Sequence, residues 1–382
     1  MNEEKLYYKD CHIKTFAAVV TECVQTEKGY EVKLDATAFY PEGGGQACDL
    51  GTLAEARVLQ VSERDGSVIH LCDKPLETGR TVQGTVDWNR RFDLMQQHTG
   101  EHIVSGIIHR RFGWHNVGFH MGSEVITIDF DGPIPAEALA EIEAEANQRV
   151  WQNLPIRCWY PGEEEIHTIP YRTKRQLTWP VRIVEIPGVD ICACCGIHVA
   201  ATGEVGLVKL FSCVKFHQGV RIEMACGGRA LAFLSSVYEQ NRQVSQAFSA
   251  KPLETGEAAK RMNEAMAAEK YRTAALQKKL FSYIAQQYRG HGNAVHFEET
   301  LSGAGVRELA EAISGVCGGV AAVFSGSNGK WDVCLARPGE DIRELGRQMA
   351  DALHGRGGGK HGFFQGSVNA EREEILAFFQ SI

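Results

Sequence analysis

The sequence has 382 residues, of which 44% are hydrophobic, and a formal net charge of −8 at pH 7. This length favours two to three domains with sizeable cores. The acidic balance argues weakly against nonspecific adhesion to nucleic acid, although local basic patches stay compatible with it. The charged N-terminus and the lack of any run near ~18 apolar residues argue against a signal peptide and a membrane helix, so we expect a cytoplasmic protein. Its 12 cysteines should be reduced there, so clustered ones indicate a metal.

The spacing of apolar residues divides the chain into four parts and predicts an α+β fold class. Residues 1–87 alternate short apolar runs with Gly and Asp turn signals, which predicts a β-rich domain. The spacing then becomes helical and later mixed, so we expect residues 88–227 to form an α+β core. Residues 228–290 are rich in Ala, Gln, Glu and Lys and predict two helices of a linker or arm. Residues 291–382 alternate strands and helices, which predicts a small C-terminal α/β domain.

The pentapeptide HTGEH, residues 98–102, lies on the first predicted helix. His98 and His102 are four residues apart, so they face the same way and can bind one ion. The same pentapeptide fits the inverted zinc-peptidase signature H-x-x-E-H, in which the Glu activates water. Two ordinary helical histidines are the alternative to a metal site.

A second cluster of metal-binding residue types lies in the segment GVDICACCGIHV, which contains Cys192, Cys194, Cys195 and His198. Zn²⁺ prefers thiolate and imidazole, and Cys194 with His198 would complete a four-ligand set with the helical pair. A separate structural zinc knuckle is the alternative. A Cys/His pair weakens the peptidase hypothesis, because that class takes its third ligand from a carboxylate. Glu101 is then expected at the surface rather than as a partner that orients an imidazole.

Two glycine-rich segments complete the set of motifs. In FYPEGGGQACDLG, residues 39–51, successive glycines permit close approach of a ligand or another backbone segment, with a tight turn as the alternative. The segment HGRGGGKHGFFQGS, residues 354–367, departs from a P-loop at His354 and His361. We expect a solvated glycine loop here, whose amides and flanking cations suit a nucleic-acid backbone. The expected RNA-binding residues are Arg356, Gly357, Gly358, Gly359 and Lys360.

These four motifs, in this order, resemble the editing half of alanyl-tRNA synthetases. More closely, they resemble the freestanding long-form AlaX-type alanyl-tRNA editing proteins, over nearly the whole chain. The resemblance implies an N-terminal β-barrel-like domain, a zinc-containing editing core, a helical linker and a C-terminal tRNA-binding domain. It also implies zinc-dependent deacylation of alanine tRNA that carries Ser or Gly.

The resemblance also assigns site residues by position. His98, His102, Cys194 and His198 match the zinc ligands and would be the catalytic residues. Family members often carry Cys-Gly-Gly-Thr-His where this chain has CCGIH, so Cys195 is an alternative ligand. Accepting Ser over Ala requires a hydrogen bond to its hydroxyl, because an apolar pocket discriminates poorly. The expected substrate-binding residues are Gly43, Gly44, Gly45, Gln46 and Thr99.

Two alternatives to the editing hydrolase stay open at this stage. One is an HxxEH-type zinc metallopeptidase, and the other is a noncatalytic RNA-binding protein with a structural zinc. For the editing hydrolase, alanine tRNA is the expected partner, and no membrane is. The helical arm or the C-terminal domain is a candidate homodimer surface. The expected cationic patches of the middle region are Arg90, Arg91, Arg172, Lys174, Arg175 and Arg182.

Overall fold

A computed structural model describes residues 3–173 and 177–382. The chain forms two compact units, Met1–Gln243 and Val244–Ile382. Both contain helices and sheets, which confirms a mixed α and β architecture. The four-part division expected from the sequence is finer than these two units and stays a prediction.

The first unit begins with strands whose side chains alternate between the core and solvent. In the strand Thr81–Val86, for example, Val82, Gly84 and Val86 are buried while the residues between them are exposed. The strands are β1 (Glu4–Lys5), β2 (Thr15–Thr26), β3 (Gly29–Leu34), β4 (Ala36–Thr37), β5 (Gly51–Leu53), β6 (Ala56–Arg64), β7 (Ser67–Cys72) and β8 (Thr81–Val86). A closed barrel forms in the order β2–β3–β7–β6–β5–β8 with antiparallel neighbours. The short apolar runs of residues 1–87 are therefore barrel strands.

The remainder of the first unit packs around one long helix, α1. Its elements are α1 (Trp88–Phe112), β9 (Asn116–Met121), β10 (Ile126–Phe130), α2 (Ala138–Trp151), β11 (Arg157–Trp159), β12 (Ile183–Ile186), β13 (Asp190–Ala193), β14 (Val208–Phe216), β15 (Gly219–Cys226) and α3 (Gly227–Ala247). One sheet has the order β14–β15–β10–β9 and another β11–β12–β13. The side chain of Asp87 caps α1 by accepting from Arg90 N, and Gly113 ends the helix with φ of 75°.

Helix α1 is buried along most of its length, although HTGEH and its neighbours are largely polar. A continuous run from Leu94 to Ile108 is buried. Two glycines permit this close packing: a Cβ on Gly100 would lie 2.1 Å from Sγ of Cys226, and one on Gly106 would lie 2.4 Å from the carbonyl oxygen of Val189. The helix therefore carries its polar side chains into the interior rather than to the surface.

The second unit is a sheet covered on both faces by helices. Its elements are α4 (Thr255–Gln287), β16 (Gly292–Glu298), α5 (Gly303–Cys317), β17 (Gly318–Ser327), β18 (Lys330–Ala336), α6 (Arg343–Ala352), β19 (Arg356–Lys360), β20 (Phe363–Asn369) and α7 (Arg372–Gln380). The sheet order is β16–β17–β18–β20–β19. Alternate residues of β17 enter different cores: Ala322 and Phe324 pack with Met349, whereas Ala321 and Val323 pack with Leu309.

The second glycine-rich segment is a strand, where the sequence suggested a loop. Arg356–Lys360 forms β19 at the edge of the sheet and pairs antiparallel with β20. A Cβ on Gly357 would lie 2.4 Å from the carbonyl oxygen of Gln365, and one on Gly359 would lie 2.0 Å from that of Phe363. The glycines thus permit close pairing, and all of β19 stays exposed.

Candidate metal centre

Four side chains from two separate parts of the chain meet beside α1. His98 and His102 project from the helix, whereas Cys194 and His198 follow the end of β13. Their ligand atoms all lie within 4.8 Å of one another. The ring centroid of His198 is 4.6 Å from those of both helical histidines, and Sγ of Cys194 is 3.4 Å from Nε2 of His98. The structure therefore brings together the four residues that the sequence proposed as one metal site.

Each imidazole is oriented through Nδ1 by a different partner. Nδ1 of His98 lies 2.8 Å from Oε1 of Gln46, and Nδ1 of His102 lies 2.9 Å from Oδ2 of Asp190. Nδ1 of His198 lies 3.3 Å from Oγ1 of the Thr99 hydroxyl. Such hydrogen bonds fix the tautomer and the ring orientation. In each of the three rings, Nε2 therefore remains available to bind a shared ion.

One buried atom supports the fit of a metal. Nε2 of His198 is buried and has no hydrogen-bond partner among the described residues. A buried polar atom without a partner is costly, so native structures rarely leave one unexplained. Three imidazoles and one thiol are a donor set that suits Zn²⁺. The residues present therefore fit a bound metal ion.

The electrostatics favour an anionic thiol in this cluster. Burial alone would raise the pKa of Cys194, but the neighbouring imidazoles of His98, His102 and His198 hold that pKa well below its usual value. Burial lowers the pKa of His198 to about 3, which keeps its ring neutral. A thiolate and a neutral imidazole are the protonation states that metal binding requires.

Asp190 extends the polar cluster away from the metal ligands. Arg172 donates to it in bidentate fashion, from Nε at 2.7 Å and from Nη2 at 2.8 Å. Although burial opposes the charge of Asp190, hydrogen bonds from His102 and Arg172 lower its pKa to about 2. Against the effect of burial, the hydrogen bond to Asp190 and the Cys194 sulfur raise the pKa of His102. Asp190 stands four residues before Cys194 in the same motif, but the spacing of Cys and His residues does not single it out.

Glu101 was expected at the surface, but the structure buries it. It is only 3% exposed because α1 is buried on this side as well. Its carboxylate accepts hydrogen bonds from Ser105 Oγ at 2.7 Å and from Asn116 Nδ2. Oε2 lies 3.8 Å from Nε2 of His102. Glu101 is therefore a buried neighbour of the cluster, held by a polar network.

The first glycine motif forms a tight turn that also contacts the metal-ligand loop. Gly43 and Gln46 exchange two backbone hydrogen bonds of 3.0 and 3.1 Å, and Gly44 and Gly45 between them have φ of 61° and 84°. Two consecutive positive φ angles require glycine-like residues. A Cβ on Gly44 would lie 3.9 Å from the backbone nitrogen of Gly196. The motif therefore forms the tight turn that the sequence offered as an alternative, and a Cβ on Gly44 would lie at ordinary van der Waals distance from the loop of Gly196.

Gly196 is a further residue that the spacing of ligands did not single out. A Cβ at this position would lie 2.1 Å from Cε1 of His98. Only glycine lets the loop pass the histidine so closely. Cys195, the alternative ligand, is exposed, whereas the Cys194 sulfur lies within the cluster.

Thr99 and Gln46 differ in what they leave available to a substrate. The Thr99 hydroxyl lies against His198 and also accepts from the backbone nitrogen of Val199 at 3.2 Å. Gln46 accepts with Oε1 from His98 and from the backbone nitrogen of Ile197, but its Nε2 is buried without a hydrogen-bond partner in the described part of the chain. An unpaired donor beside the cluster can receive a substrate oxygen.

The cationic patches expected in the middle region are mostly internal. Arg91 is fully buried and pairs with Asp49, and Arg172 is bound to Asp190. Arg182 is 5% exposed, and its Nη1 donates to the backbone oxygens of Cys194 and Gly196. These three arginines bind internal carboxylates and carbonyl groups, so they are not free to contact phosphates. Lys174 and Arg175 lie outside the described residues.

Two segments of the chain match known protein families. Residues 1–90 match the family "tRNA synthetases class II (A)", and residues 181–223 match "Threonyl and Alanyl tRNA synthetase second additional domain". The alanyl-tRNA editing protein Aarsd1-A of Xenopus laevis is 27% identical over 98% of this chain and 96% of its own length. Aarsd1 of Rattus norvegicus is 28% identical over 98% and 97%. The chain is therefore similar to alanyl-tRNA editing proteins over nearly its whole length and theirs.

The family matches cover the site unequally. The glycine turn lies within residues 1–90, and Asp190, Cys194 and His198 lie within residues 181–223. His98 and His102 lie between the two matched ranges. An alanine–tRNA ligase of Thermofilum pendens is 31% identical over 95% of this chain but only 42% of the ligase. The shared part of that longer enzyme is thus about the size of this whole chain.

No helix among residues 3–173 and 177–382 has the length and apolar character that a membrane crossing requires.

Proposed function

We propose that this protein is a trans-editing hydrolase that deacylates alanine tRNA carrying serine or glycine, in a zinc-dependent reaction. The observation that carries the proposal is the convergence of three anchored imidazoles and one thiol near Gln46, whose amide nitrogen has no partner among the described residues. The relatives that match almost the full chain over almost their own full length are alanyl-tRNA editing proteins. The bond that such a protein hydrolyses is the ester between an amino acid and the terminal adenosine of tRNA.

The role of the protein side chains in this reaction is to hold the metal and its ligands in position. His98, His102, Cys194 and His198 would hold Zn²⁺, which when bound supplies Lewis-acid chemistry for ester hydrolysis. Asp190 fixes the ring of His102, and Arg182 fixes the loop of Cys194 by binding the two carbonyls that flank Cys195. An aminoacyl ester is more reactive than a peptide, so a positioned water suffices without a strong general base.

Gln46 is the residue best placed to recognise the amino acid. Its Nε2 can donate to the serine hydroxyl or to the ester carbonyl, and a buried donor of this kind distinguishes substrates that can accept from those that cannot. Gly43, Gly44 and Gly45 allow the backbone to approach the same space. Thr99 acts on the substrate indirectly in this proposal, because its hydroxyl orients His198.

In this proposal the second unit contacts the tRNA body. Arg356 and Lys360 flank three glycines on the exposed edge strand β19, where backbone and side chains can meet phosphates. No core residue depends on these side chains. The segment Arg356–Lys360 is therefore a surface that RNA can use without unfolding the sheet.

Helix α4 is the proposed homodimer surface. It presents large apolar side chains to solvent at heptad-like spacing, namely Met262, Met266, Leu276, Leu280 and Tyr283, which are 46–73% exposed. Apolar rows of this kind on a long helix are stable when a partner covers them. Sedimentation of the wild type and of a Leu276→Glu/Leu280→Glu variant tests this, and two equally monomeric proteins would rule the dimer out.

The function itself is tested by incubating the protein with alanine tRNA charged with serine, glycine or alanine and measuring release of the amino acid. The expected result is rapid release of serine or glycine and slow release of alanine. A panel of unstructured peptides is the parallel substrate. Peptide cleavage without deacylation would favour the HxxEH metallopeptidase, and binding of tRNA without either reaction would favour a noncatalytic RNA-binding protein.

A further inference from the structure

An aromatic patch lies at the surface next to the loop that carries Cys194. It consists of Tyr8, Tyr160 and Trp179, of which Tyr160 is 51% and Trp179 is 52% exposed. Large aromatic rings are seldom left half exposed in the same place without a function, because each offers a large apolar area. The mechanism proposed above does not use these three residues.

Strand register connects the patch to the metal ligands. Trp159 pairs with Ile183, and Ile183 pairs with Ala193. The residues one step further along these three strands are Tyr160, Arg182 and Cys194, and the backbone nitrogen of Cys194 donates to the carbonyl oxygen of Arg182 at 3.1 Å. Neighbouring strands lie ~4.8 Å apart, so Tyr160 and Cys194 are about 10 Å apart across the sheet. An adenosine spans a comparable distance.

Side-chain contacts hold the patch against the same loop. The Tyr8 hydroxyl donates to the carbonyl oxygen of Cys195 at 2.8 Å, and the guanidinium carbon of Arg182 lies 4.6 Å from the centroid of the Tyr8 ring. The Tyr8 and Tyr160 rings meet edge to face at 6.2 Å. Nε1 of Trp179 donates to the carbonyl oxygen of Pro161, which follows Tyr160. Both exposed rings are thus fixed relative to the metal centre.

We propose that the aromatic patch receives the base of the terminal adenosine of the tRNA, with Tyr160 as the stacking surface. This inference rests on the proposed function, because the ester to be cleaved joins the amino acid to that nucleoside. With the amino acid beside Gln46 and the ribose over the loop of Cys194 to Gly196, the base extends along the row toward Tyr160. Stacking on aromatic rings is how proteins bind unpaired bases at single-stranded ends.

The chemistry favours a nucleobase over a protein partner. The exposed large apolar side chains here are mainly aromatic, namely Tyr160 and Trp179, with Leu177 two residues before Trp179. Arg182, the cation that packs on the Tyr8 ring, is turned to the loop carbonyls. A ring contributes stacking to any base and needs no phosphate contact. This subsite lies beside the reacting ester. It therefore positions the ester at the metal centre, whereas binding of the tRNA body occurs elsewhere in this proposal.

The test uses the full-length protein and a minihelix of the alanine tRNA acceptor stem that carries serine in a non-hydrolysable amide linkage to the 3′-terminal adenosine. The same minihelix without its terminal adenosine is the second probe. We compare the wild type with Tyr160→Ala, Tyr160→Phe and Trp179→Ala. Trp151→Ala is the matched control, because Trp151 is also aromatic, 72% exposed and on α2 of the same unit.

Tyr160→Ala should weaken binding of the adenosine-ended probe by about five- to a hundredfold and leave binding of the shortened probe unchanged. Tyr160→Phe, which keeps the ring, and Trp151→Ala should bind as the wild type does. In deacylation assays Tyr160→Ala should raise KM with kcat within about threefold. Zinc content and thermal melting confirm that the variants fold.

Three results with the Tyr160→Ala variant would overturn the proposal. They are unchanged binding by Tyr160→Ala, an equal loss for both probes, or a fall in kcat at unchanged KM, which would mean that Tyr160 only supports the Cys194 loop. A wild type that binds both probes equally also refutes the subsite, whether or not it hydrolyses seryl-tRNA. Conversely, absence of deacylation by the wild type refutes the proposed function without affecting the binding comparison. Binding of a peptide partner that Tyr160→Ala abolishes, with RNA binding intact, would make the patch a protein interface.

Discussion

The carboxylate of Asp190 lies 2.9 Å from Nδ1 of His102, and both side chains are almost fully buried. The hydrogen bond selects the tautomer that presents Nε2 to the other ligands. We expect Asp190→Asn to reduce zinc affinity or deacylation by about 10–100-fold, because an amide can no longer act as a charged acceptor. Titration with a competing chelator and deacylation rates measure the two effects.

A matched control for Asp190→Asn exists on the surface. Asp131 lies 3.1 Å from Nδ1 of His115, and both side chains are at least 40% exposed. Asp131→Asn removes an Asp–His pair of similar geometry away from the metal ligands. It should leave zinc affinity and activity unchanged. If the two variants behave alike, the Asp190 contact has no particular role at the centre.

The second prediction concerns the number of metal ions. One ion can use both ligand pairs, so the purified protein should contain about one zinc per chain, and His98→Ala and Cys194→Ala should lose it. Cys195→Ala is the control, because Cys195 is adjacent in sequence but exposed and outside the cluster. Elemental analysis gives the content. Two zincs, or full zinc in either ligand variant, would show that the pairs are not one site.

The motifs in the sequence were sufficient to assemble the four-ligand cluster, because Cys and His are rare and their spacing limits where they can meet. They were not sufficient for Glu101 and Arg91, which were expected at the surface and lie inside. Charged residues are seldom buried unless they are paired. Glu101 is bound by Ser105 and Asn116, and Arg91 is bound by Asp49. Sequence spacing alone does not predict these partners. Local patterns predict faces of elements, whereas burial on every side depends on the tertiary fold.

The same limitation affected the glycine-rich tail. Three glycines between two cations are typical of a loop, yet Arg356–Lys360 is a strand. The pairing comes from Phe363–Asn369, a β-rich segment beyond a tight turn, and glycine is normally unfavourable in strands. Tertiary context therefore overrode local propensity. In contrast, residues 1–87 do form strands, as predicted from their short apolar runs, because Gly and Asp turn signals mark where such strands end.

The third prediction separates deacylation from peptide hydrolysis at Glu101. If zinc and its ligands do the chemistry, Glu101→Gln should keep deacylation of seryl-tRNA within about tenfold, ~1.4 kcal/mol. Asn116 can compensate by rotating its amide, since its Oδ1 is buried without a hydrogen-bond partner in the described residues. A general base would instead lose about 10²–10⁴-fold.

Glu124→Gln, at an exposed position, is the control for the Glu101 experiment. Rates with seryl-tRNA and with peptides are measured for both variants and the wild type. Peptide hydrolysis that depends on Glu101 would overturn the editing assignment. A large loss of deacylation with full zinc content would make Glu101 a participant in the editing reaction itself.

The fourth prediction is a pH dependence of stability from His70 in the barrel. Its ring is fully buried, with Nδ1 3.0 Å from the carbonyl oxygen of Val32 and Nε2 2.9 Å from the Thr37 hydroxyl. Burial lowers its pKa from 6.5 to about 4. Between these values the unfolded chain binds more protons than the folded one, so stability is present above pH 6.5 and is lost as the pH falls.

By pH 5 this loss should reach about 2 kcal/mol in the free energy of unfolding, measured by urea denaturation. His70→Asn should be less stable at pH 7 but lose less between pH 7 and pH 5. His167→Asn, at an exposed position, should follow the wild type. Because acid also releases metal, only the difference between variants is informative. Equal slopes for His70→Asn and the wild type would contradict the prediction.

The last prediction is that β19 supplies affinity for tRNA and not the chemistry. Arg356 and Lys360 are exposed, and all four candidate metal ligands belong to the first unit. Arg356→Ala/Lys360→Ala should therefore raise KM for seryl-tRNA and flatten its salt dependence, by a slope of about one to two, while kcat at saturation is kept. Lys330→Ala/Arg347→Ala, which removes two exposed cations of the same unit, should change neither. Both double variants should melt like the wild type, because exposed side chains contribute little to the core. Removal of residues 293–382 should give a larger effect of the same kind. Unchanged tRNA affinity and salt slope in the Arg356/Lys360 variant would mean that this strand serves oligomerisation or another partner.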